Sequence, residues 1–305
     1  MIDNIVVTLF EGHYQYGVAA LVNSLVASGF NGLVYVGFRG QIPDWTSQLS
    51  YISENEYMVS ADILIRFQAI KTDMHFGYYK PTFIKQAFKE YPDVNKVFYF
   101  DPDIVVIAPW TFYNNWTNIG VALCLDVCFP FVHRNHPWRI EWLKMFNSDT
   151  NQSLDIDYYV NSGFIGIRKD AISLIDKWIE FTGKYKQNGG DLSLFEKEAH
   201  RIIKGDQDIL NAAIQVSSDI NLSIIGKEGM GFSYPVYLMA HAVDDVKPWK
   251  KNFVKEVVVS GRKPGMASKI FYNYCEYPIR VFPKMILRSK KTQIVVASLI
   301  GRFVG

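Results

Sequence analysis

Cysteine is scarce: Cys124, Cys128 and Cys275 are three in 305 residues. They fall in no Cys-x-x-Cys spacing, and three cannot all pair within one chain, so a disulfide scaffold and a cysteine-built metal site are both set aside. Buried thiols in a reducing compartment are the expectation. No uninterrupted apolar run reaches the ~18 residues of a membrane span. Neither a basic n-region nor a small-residue cleavage site accompanies the opening Met1-Ile2-Asp3-Asn4, so no secretory signal is expected. Neither sign of charge dominates. Lys and Arg number 32 against 30 Asp and Glu, and a net charge of +2 gives no whole-molecule case for nucleic-acid binding. Internal repeats, low-complexity linkers and a Gly-rich basic phosphate loop near the N terminus are also missing.

What is present is a well-mixed globular composition, 49% apolar and 20% charged, long enough to build a core without staples. Residues 5–10 read as a buried strand and 16–27 as a helix, with Val18, Leu21, Val22 and Leu25 at helical spacing before Gly29. Further strands are expected at 32–38, 96–100, 121–125, 164–167 and 236–240. Helices are expected at 78–91, where Pro81 is tolerable only near the first turn, and at 170–185 and 206–215. Such alternation predicts an α/β fold with a mixed, mostly parallel central sheet flanked by helices, and a ligand beyond the carboxyl ends of its strands.

The sharpest local feature is Val97-Phe98-Tyr99-Phe100-Asp101-Pro102-Asp103-Ile104-Val105-Val106, an apolar run interrupted by two carboxylates. Two such charges at the end of a buried strand repel and lose hydration unless a cation compensates them. A divalent ion bound to oxygen, and through it to phosphates, is one reading; an Asp-Pro-Asp turn is the other. His241 ends an apolar segment and is either a metal ligand or a structural imidazole. Lys247 is either a point charge for phosphate or a solvated lysine. Asn161-Ser162-Gly163 precedes a strand, and Asp206-Gln207-Asp208 opens a helix. Their amide and carboxylate groups suit polyol recognition and equally suit capping.

Taken in order, these segments resemble the retaining GT-A glycosyltransferases of the glycogenin and lipooligosaccharide galactosyltransferase type, glycosyltransferase family 8. The resemblance runs over roughly the first 250 residues. It is carried by the strand-loop-helix start, Lys80 ahead of the Val97 to Asp103 strand, Asn161-Ser162-Gly163, Asp206-Gln207-Asp208-Ile209-Leu210-Asn211, and His241 with Lys247-Pro248-Trp249. It implies a GT-A catalytic domain over 1–250. It also implies that Asp101, Asp103 and His241 bind Mn²⁺ or Mg²⁺ on a UDP-sugar, with Lys247 touching the phosphates. Thr8, Glu11 and Tyr16 would lie near the nucleoside. Lys80, Asp126, Asn161, Ser162, Asp206 and Gln207 would line the sugar, Asp206 and Gln207 being the catalytic candidates. The chain departs from the family in having Lys80 where Arg is common and Asp244 where Gly is common, and its first loop lacks the paired acids.

The implied activity is a metal-dependent, retaining transfer of a hexose-type sugar to a glycan or glycolipid, as in cell-surface polysaccharide or lipopolysaccharide synthesis. Front-face attack would need no dedicated base, whereas double displacement would need a nucleophile in line; the residues leave both open. Residues 251–305 form a separate basic and apolar extension, with 11 basic and 2 acidic side chains. From 278 to 305 its mixed character suits an anionic membrane surface, or else a helix packed on the core. A cytoplasmic protein, peripheral at the inner membrane face, is therefore expected. Two rivals are a non-catalytic carbohydrate-binding protein of the same fold and a sugar-1-phosphate nucleotidyltransferase. The latter is disfavoured because no Lys or Arg precedes Arg39.

Overall fold

A computed structural model describes residues 3–146, 154–195 and 203–304. The order begins β1 (Asn4–Glu11), α1 (Gln15–Ser28), β2 (Gly32–Arg39), β3 (Ser50–Ser53), β4 (Glu56–Ser60), β5 (Ile63–Ala69), α2 (Phe76–Glu90), β6 (Lys96–Phe100), β7 (Ile104–Val106), α3 (Trp110–Trp116) and β8 (Val121–Cys124). It continues α4 (Pro137–Met145), β9 (Phe164–Arg168), α5 (Ile172–Gln187), α6 (Asp206–Gln215), β10 (Leu222–Ile225), β11 (Met239–His241), α7 (Phe253–Ser260), α8 (Met266–Phe271) and α9 (Lys284–Val304).

Nine strands form one sheet in the order β10-β8-β9-β6-β1-β2-β5-β4-β3. The neighbours β6, β1, β2 and β5 are parallel, β9 runs antiparallel beside β6, and β4 and β3 close one edge antiparallel. The expected α/β architecture is thus borne out. Along β1 the side chains alternate, as a pleated strand requires. Val6 and Phe10 enter the core beneath α1, while Ile5, Val7 and Leu9 enter the core shared with α2, α5 and α6. Gly29 ends α1 at φ 78°, its N–H reaching Leu25 and Val26, a left-handed cap that glycine adopts without steric cost.

The expected bounds of β6 and α6 coincide with the observed ones. Others need correction. The strand expected at 236–240 is Met239–His241, because only those residues pair with β7. Helix α2 starts at Phe76, so Pro81 is its sixth residue rather than part of the first turn; its nitrogen carries no hydrogen for the Gly77 carbonyl. Cys124 and Cys275 are buried, but Cys128 is exposed. There the Asp126 carboxylate accepts the backbone N–H groups of Cys128 and Phe129 and turns the chain outward.

Residues beyond 250 pack on the α1 side of the sheet. Phe253, Val257, Phe271, Tyr272, Ile279, Phe282, Leu287 and Ala297 belong to the same core as Val18 and Leu21. The buried Asn23 amide donates to Tyr274 O and Ile279 O and accepts the Ile279 N–H, stitching this segment to α1. Among the described residues, no helix is long and apolar enough to cross a membrane.

Candidate functional site

Strand register builds the site. Phe100 lies opposite Phe164, so the next residue, Asp101, donates its N–H to Gly163 O at 2.7 Å. After the Pro102 turn, Ile104 pairs with His241, and the Ala242 N–H reaches Asp103 O at 3.0 Å. Two short antiparallel strands thereby carry an imidazole from residue 241 to a carboxylate pair at 101 and 103. Helix α1 supports the turn from behind: a Cβ at Gly17 would stand 2.0 Å from Pro102 O.

One ligand atom from each of Asp101, Asp103 and His241 lies within 4.8 Å of the others. Each carboxylate divides its two oxygens. His241 Nε2 is 3.2 Å from Asp103 Oδ1, while Lys247 Nζ holds Asp103 Oδ2 at 2.8 Å. His241 Nε2 is 3.7 Å from Asp101 Oδ2, while Tyr99 Oη donates to Asp101 Oδ1 at 2.8 Å and Lys80 Nζ lies 3.0 Å from it. Asp103 thus gives one oxygen to the imidazole and one to Lys247; on Asp101, Oδ1 is held by Tyr99 and Lys80, while Oδ2 faces the imidazole and also accepts from Lys80 Nζ at 3.3 Å. Two hard oxygens and one nitrogen fit Mn²⁺ or Mg²⁺ at bonds of roughly 2 Å. Burial opposes the charge of Asp103, but attraction to His241 and Lys247 outweighs it and holds the carboxyl below its ordinary range. Lys247 is likewise opposed by burial and held above its ordinary value by Asp103.

Gly163 gives this cluster its room. A Cβ there would lie 2.5 Å from His241 Cε1, 2.8 Å from Asn161 Oδ1 and 2.9 Å from Asp101 Oδ2. Gly163→Ala is expected to weaken Mn²⁺ binding at least about 10-fold, comparable to the loss of a supporting metal-site contact, and to cost about 1–3 kcal/mol of stability through overpacking. Calorimetric Mn²⁺ titration measures it, and unchanged affinity would refute the role.

The opposite wall comes from α2 and α6. Lys80, buried in α2, stands 3.0 Å from Asp206 Oδ2 as well as from Asp101, and donates to Ser162 O at 3.2 Å. Burial opposes its charge, and attraction to Asp101 and Asp206 outweighs that cost, raising its pKa. Gln207 Oε1 accepts from Ser162 N at 3.1 Å, and Asn161 donates to Asp126 at 3.0 Å. Asn211 fastens α6 to this segment by accepting from Val160 N and donating to Val160 O. Asp126, Asn161, Ser162, Asp206 and Gln207 are therefore one connected polar wall, with Asp206 buried within it.

Asp208 lies beneath that wall, accepting from Tyr159 Oη and from Lys204 N. Burial pushes its carboxyl up to about 6 against these bonds. Below about pH 4 the folded and unfolded chains both hold this proton; between about 4 and 6 only the folded chain does. Its stabilising contribution is complete below that window and lost above it, a change on the order of 3 kcal/mol. Asp208→Asn removes the titration. The variant's stability minus that of the wild type should rise by this amount from pH 4 to 7 in urea melts, whereas a flat difference would rule it out.

The remaining candidates take different places. Glu11, at the end of β1, pairs with Arg39 at 2.7 Å. Tyr16 stacks on His13 and packs against Phe282. Thr8 is fully enclosed on the α1 face and its hydroxyl has no partner among the described residues, so it presents no surface to a nucleoside. Two residues at the site were not anticipated. Tyr14 lies edge-on to Trp249 with its ring 6.0 Å from Lys247 Nζ, and Tyr99 donates to Asp101. Tyr99 was legible from strand alternation, since positions 99 and 101 share a face.

No family model matches the sequence, and no curated protein sequence matches it. Solved structures do resemble it. WbbM, described as a bifunctional glycosyltransferase in its apo form, superposes with a TM-score of 0.56 at 17% identity, covering 95% of this chain and 52% of its own. This chain thus spans about half the length of WbbM. The galactosyltransferase LgtC, solved with donor and acceptor sugar analogs, gives 0.52 at 15% identity, covering 94% of this chain and 99% of its own. An active-site mutant of LgtC gives the same values. At these identities the shared property is the fold: a mixed α/β sheet flanked by helices, the GT-A architecture of glycosyltransferases.

Proposed function

We propose that the chain is a metal-dependent glycosyltransferase of the family 8 type, moving a hexose-type sugar from a UDP-sugar to a glycan or glycolipid with retention of anomeric configuration. The observation that carries this reading is the convergence of Asp101, Asp103 and His241 within 4.8 Å, with Lys247 Nζ on the second oxygen of Asp103. Asp101, Asp103 and His241 would hold Mn²⁺ or Mg²⁺, which when bound supplies Lewis-acid stabilisation of the departing diphosphate. Lys247 offers a fixed ammonium to the same developing charge. Asp206 and Gln207 face the sugar from the α6 side as carboxylate and amide for an oxocarbenium-like centre. Asp126, Asn161 and Ser162 would orient sugar hydroxyls. Glu11 and Tyr16 would flank the nucleoside, with Tyr14 beside the phosphates; Thr8 lies underneath, supporting the loop. Peripheral association with the cytoplasmic face of a membrane through 278–305 completes the proposal.

The test is thermal stabilisation by nucleotides with and without Mn²⁺, followed by assignment of the product anomer by NMR. Stabilisation by UDP only with metal, and a product of retained configuration, support the reading. Stabilisation by ATP or CTP without metal overturns it. Metal-dependent UDP binding with no transfer or hydrolysis from any UDP-sugar favours the non-catalytic binding protein.

A further inference from the structure

Lys247 belongs to a segment whose two ends are buried and whose middle is not. His241 and Ala242 are enclosed at one end, Pro248, Trp249 and Lys251 at the other, and residues 243–246 bridge them in solvent. The second end is fastened to the C-terminal part of the chain: Pro248 O accepts the Tyr272 hydroxyl at 3.0 Å, and Lys251 O accepts from Lys290 in α9. Trp249 packs on α1, where a Cβ at Gly17 would stand 3.1 Å from its ring. The exposed bridge is tied to this anchored end by a side chain. Asp244 accepts from Lys251 Nζ, and no other carboxylate pairs with that ammonium among the described residues. The Lys251 side chain is 9% exposed and that of Asp244 63%, so the carboxylate reaches inward from the bridge to a nearly enclosed cation.

Asp244 is also one of the departures from the resembled family, which commonly has glycine there. Among the described residues only Asn55 is a non-glycine at positive φ, so Asp244 takes the turn on an ordinary backbone and needs no glycine. What the aspartate adds is a cross-link. Joining 244 to 251 closes a short loop around Lys247, and a closed loop leaves that residue fewer conformations. Within it Lys247 Nζ donates to Ala242 O at 2.8 Å and pairs with Asp103 Oδ2 at 2.8 Å. The neighbouring Asp245 is exposed and has no ion-pair partner among the described residues.

We propose that Asp244 and Lys251 are positioning residues for the donor diphosphate: their pair fixes the bridge, so that Lys247 meets the phosphates without first having to be ordered. The inference rests on the proposed function, in which Lys247 serves the diphosphate, and adds the residues that aim it. Asp244 has two opposed effects. Its charge repels phosphates, whereas its tie to Lys251 holds in place the ammonium that attracts them. Pairing with Lys251 neutralises the first effect, and the second prevails.

The experiment is titration of the full chain with UDP and with uridine, both in the presence of Mn²⁺. Asp244→Ala is expected to weaken UDP binding about 10-fold, the cost of ordering a loop and a long side chain on association. Uridine, which has no phosphate, and Mn²⁺ alone should bind as they do to the wild type. Asp245→Ala removes the same charge from the same bridge but no tie, and should leave UDP affinity unchanged or slightly raised. Asp244→Glu should recover most of the loss. In a Lys247→Ala background, Asp244→Ala should have no further effect, because the pair acts through that ammonium. Amide hydrogen exchange reads the tie without any ligand: the N–H groups of Val243 and Lys250, bonded to His241 O and Lys247 O, should exchange faster in Asp244→Ala while β6 stays unchanged. Unchanged exchange, an equal loss from Asp245→Ala, or an additive loss in the Lys247→Ala background would each overturn the proposal. UDP binding that Asp244→Ala leaves intact overturns the positioning role alone, whereas a wild type that binds no UDP overturns the proposed function and this role together.

Discussion

Asp103→Asn is expected to reduce sugar transfer about 10³-fold, equivalent to about 4 kcal/mol of transition-state stabilisation. Asparagine keeps the size of the side chain and one carbonyl oxygen, so the turn after β6 and the pairing of Ala242 N–H with the backbone at 103 survive. What disappears is the charge on which His241 Nε2, at 3.2 Å, and Lys247 Nζ, at 2.8 Å, both converge. The variant should therefore fold and lose the extra stabilisation that Mn²⁺ brings to UDP binding. Steady-state rates with a UDP-sugar, together with nucleotide melts with and without metal, check this. Transfer retained within tenfold of the wild type would remove Asp103 from the metal-binding role.

The cluster was only partly legible before the fold was known, and the reason is physical. Two aspartates inside an apolar run announce themselves, because burying like charges costs several kcal/mol without compensation. The imidazole at 241 carries no such mark. Its partnership depends on two three-residue strands pairing antiparallel, a tertiary contact across more than a hundred residues that no local pattern encodes. Strand β6 and helix α6 were readable to the residue because each is a buried segment with sharp ends: Asp101 closes one, and Gly205 at φ 151° opens the other. The edge strand β3 and its inner neighbours β4 and β5 were not anticipated. Ser50–Ser53 is exposed throughout, so it lacks the one-sided apolar alternation by which a half-buried strand is recognised. The C-terminal segment shows the opposite limit. Its basic and apolar composition was plain, but which apolar residues enter the core and which stay outside required the packing of Ile279 and Phe282 on α1.

Lys80→Met should be the most destabilising single substitution at the site, costing about 3–5 kcal/mol, the usual penalty for removing one partner of a buried ion pair. The ammonium has three hydrogens, and its acceptors are Asp101, Asp206 and both the carbonyl and the hydroxyl of Ser162. Methionine fills comparable space but leaves Asp206 buried without its counter-charge and Asp101 held on one side only by Tyr99. For a chain of this size that loss lowers the melting temperature by about 10 °C. Lys80→Arg keeps the charge in a bulkier, planar head and should recover part of the stability; its turnover should recover less, because the guanidinium displaces Asp206 from the wall it shares with Gln207. Adding Asp206→Asn to Lys80→Met removes the orphaned charge and should restore stability while transfer stays low. Urea melts of the three variants beside their rates separate the two effects. A Lys80→Met protein within about 1 kcal/mol of the wild type would mean that water, rather than this ammonium, satisfies the two carboxylates.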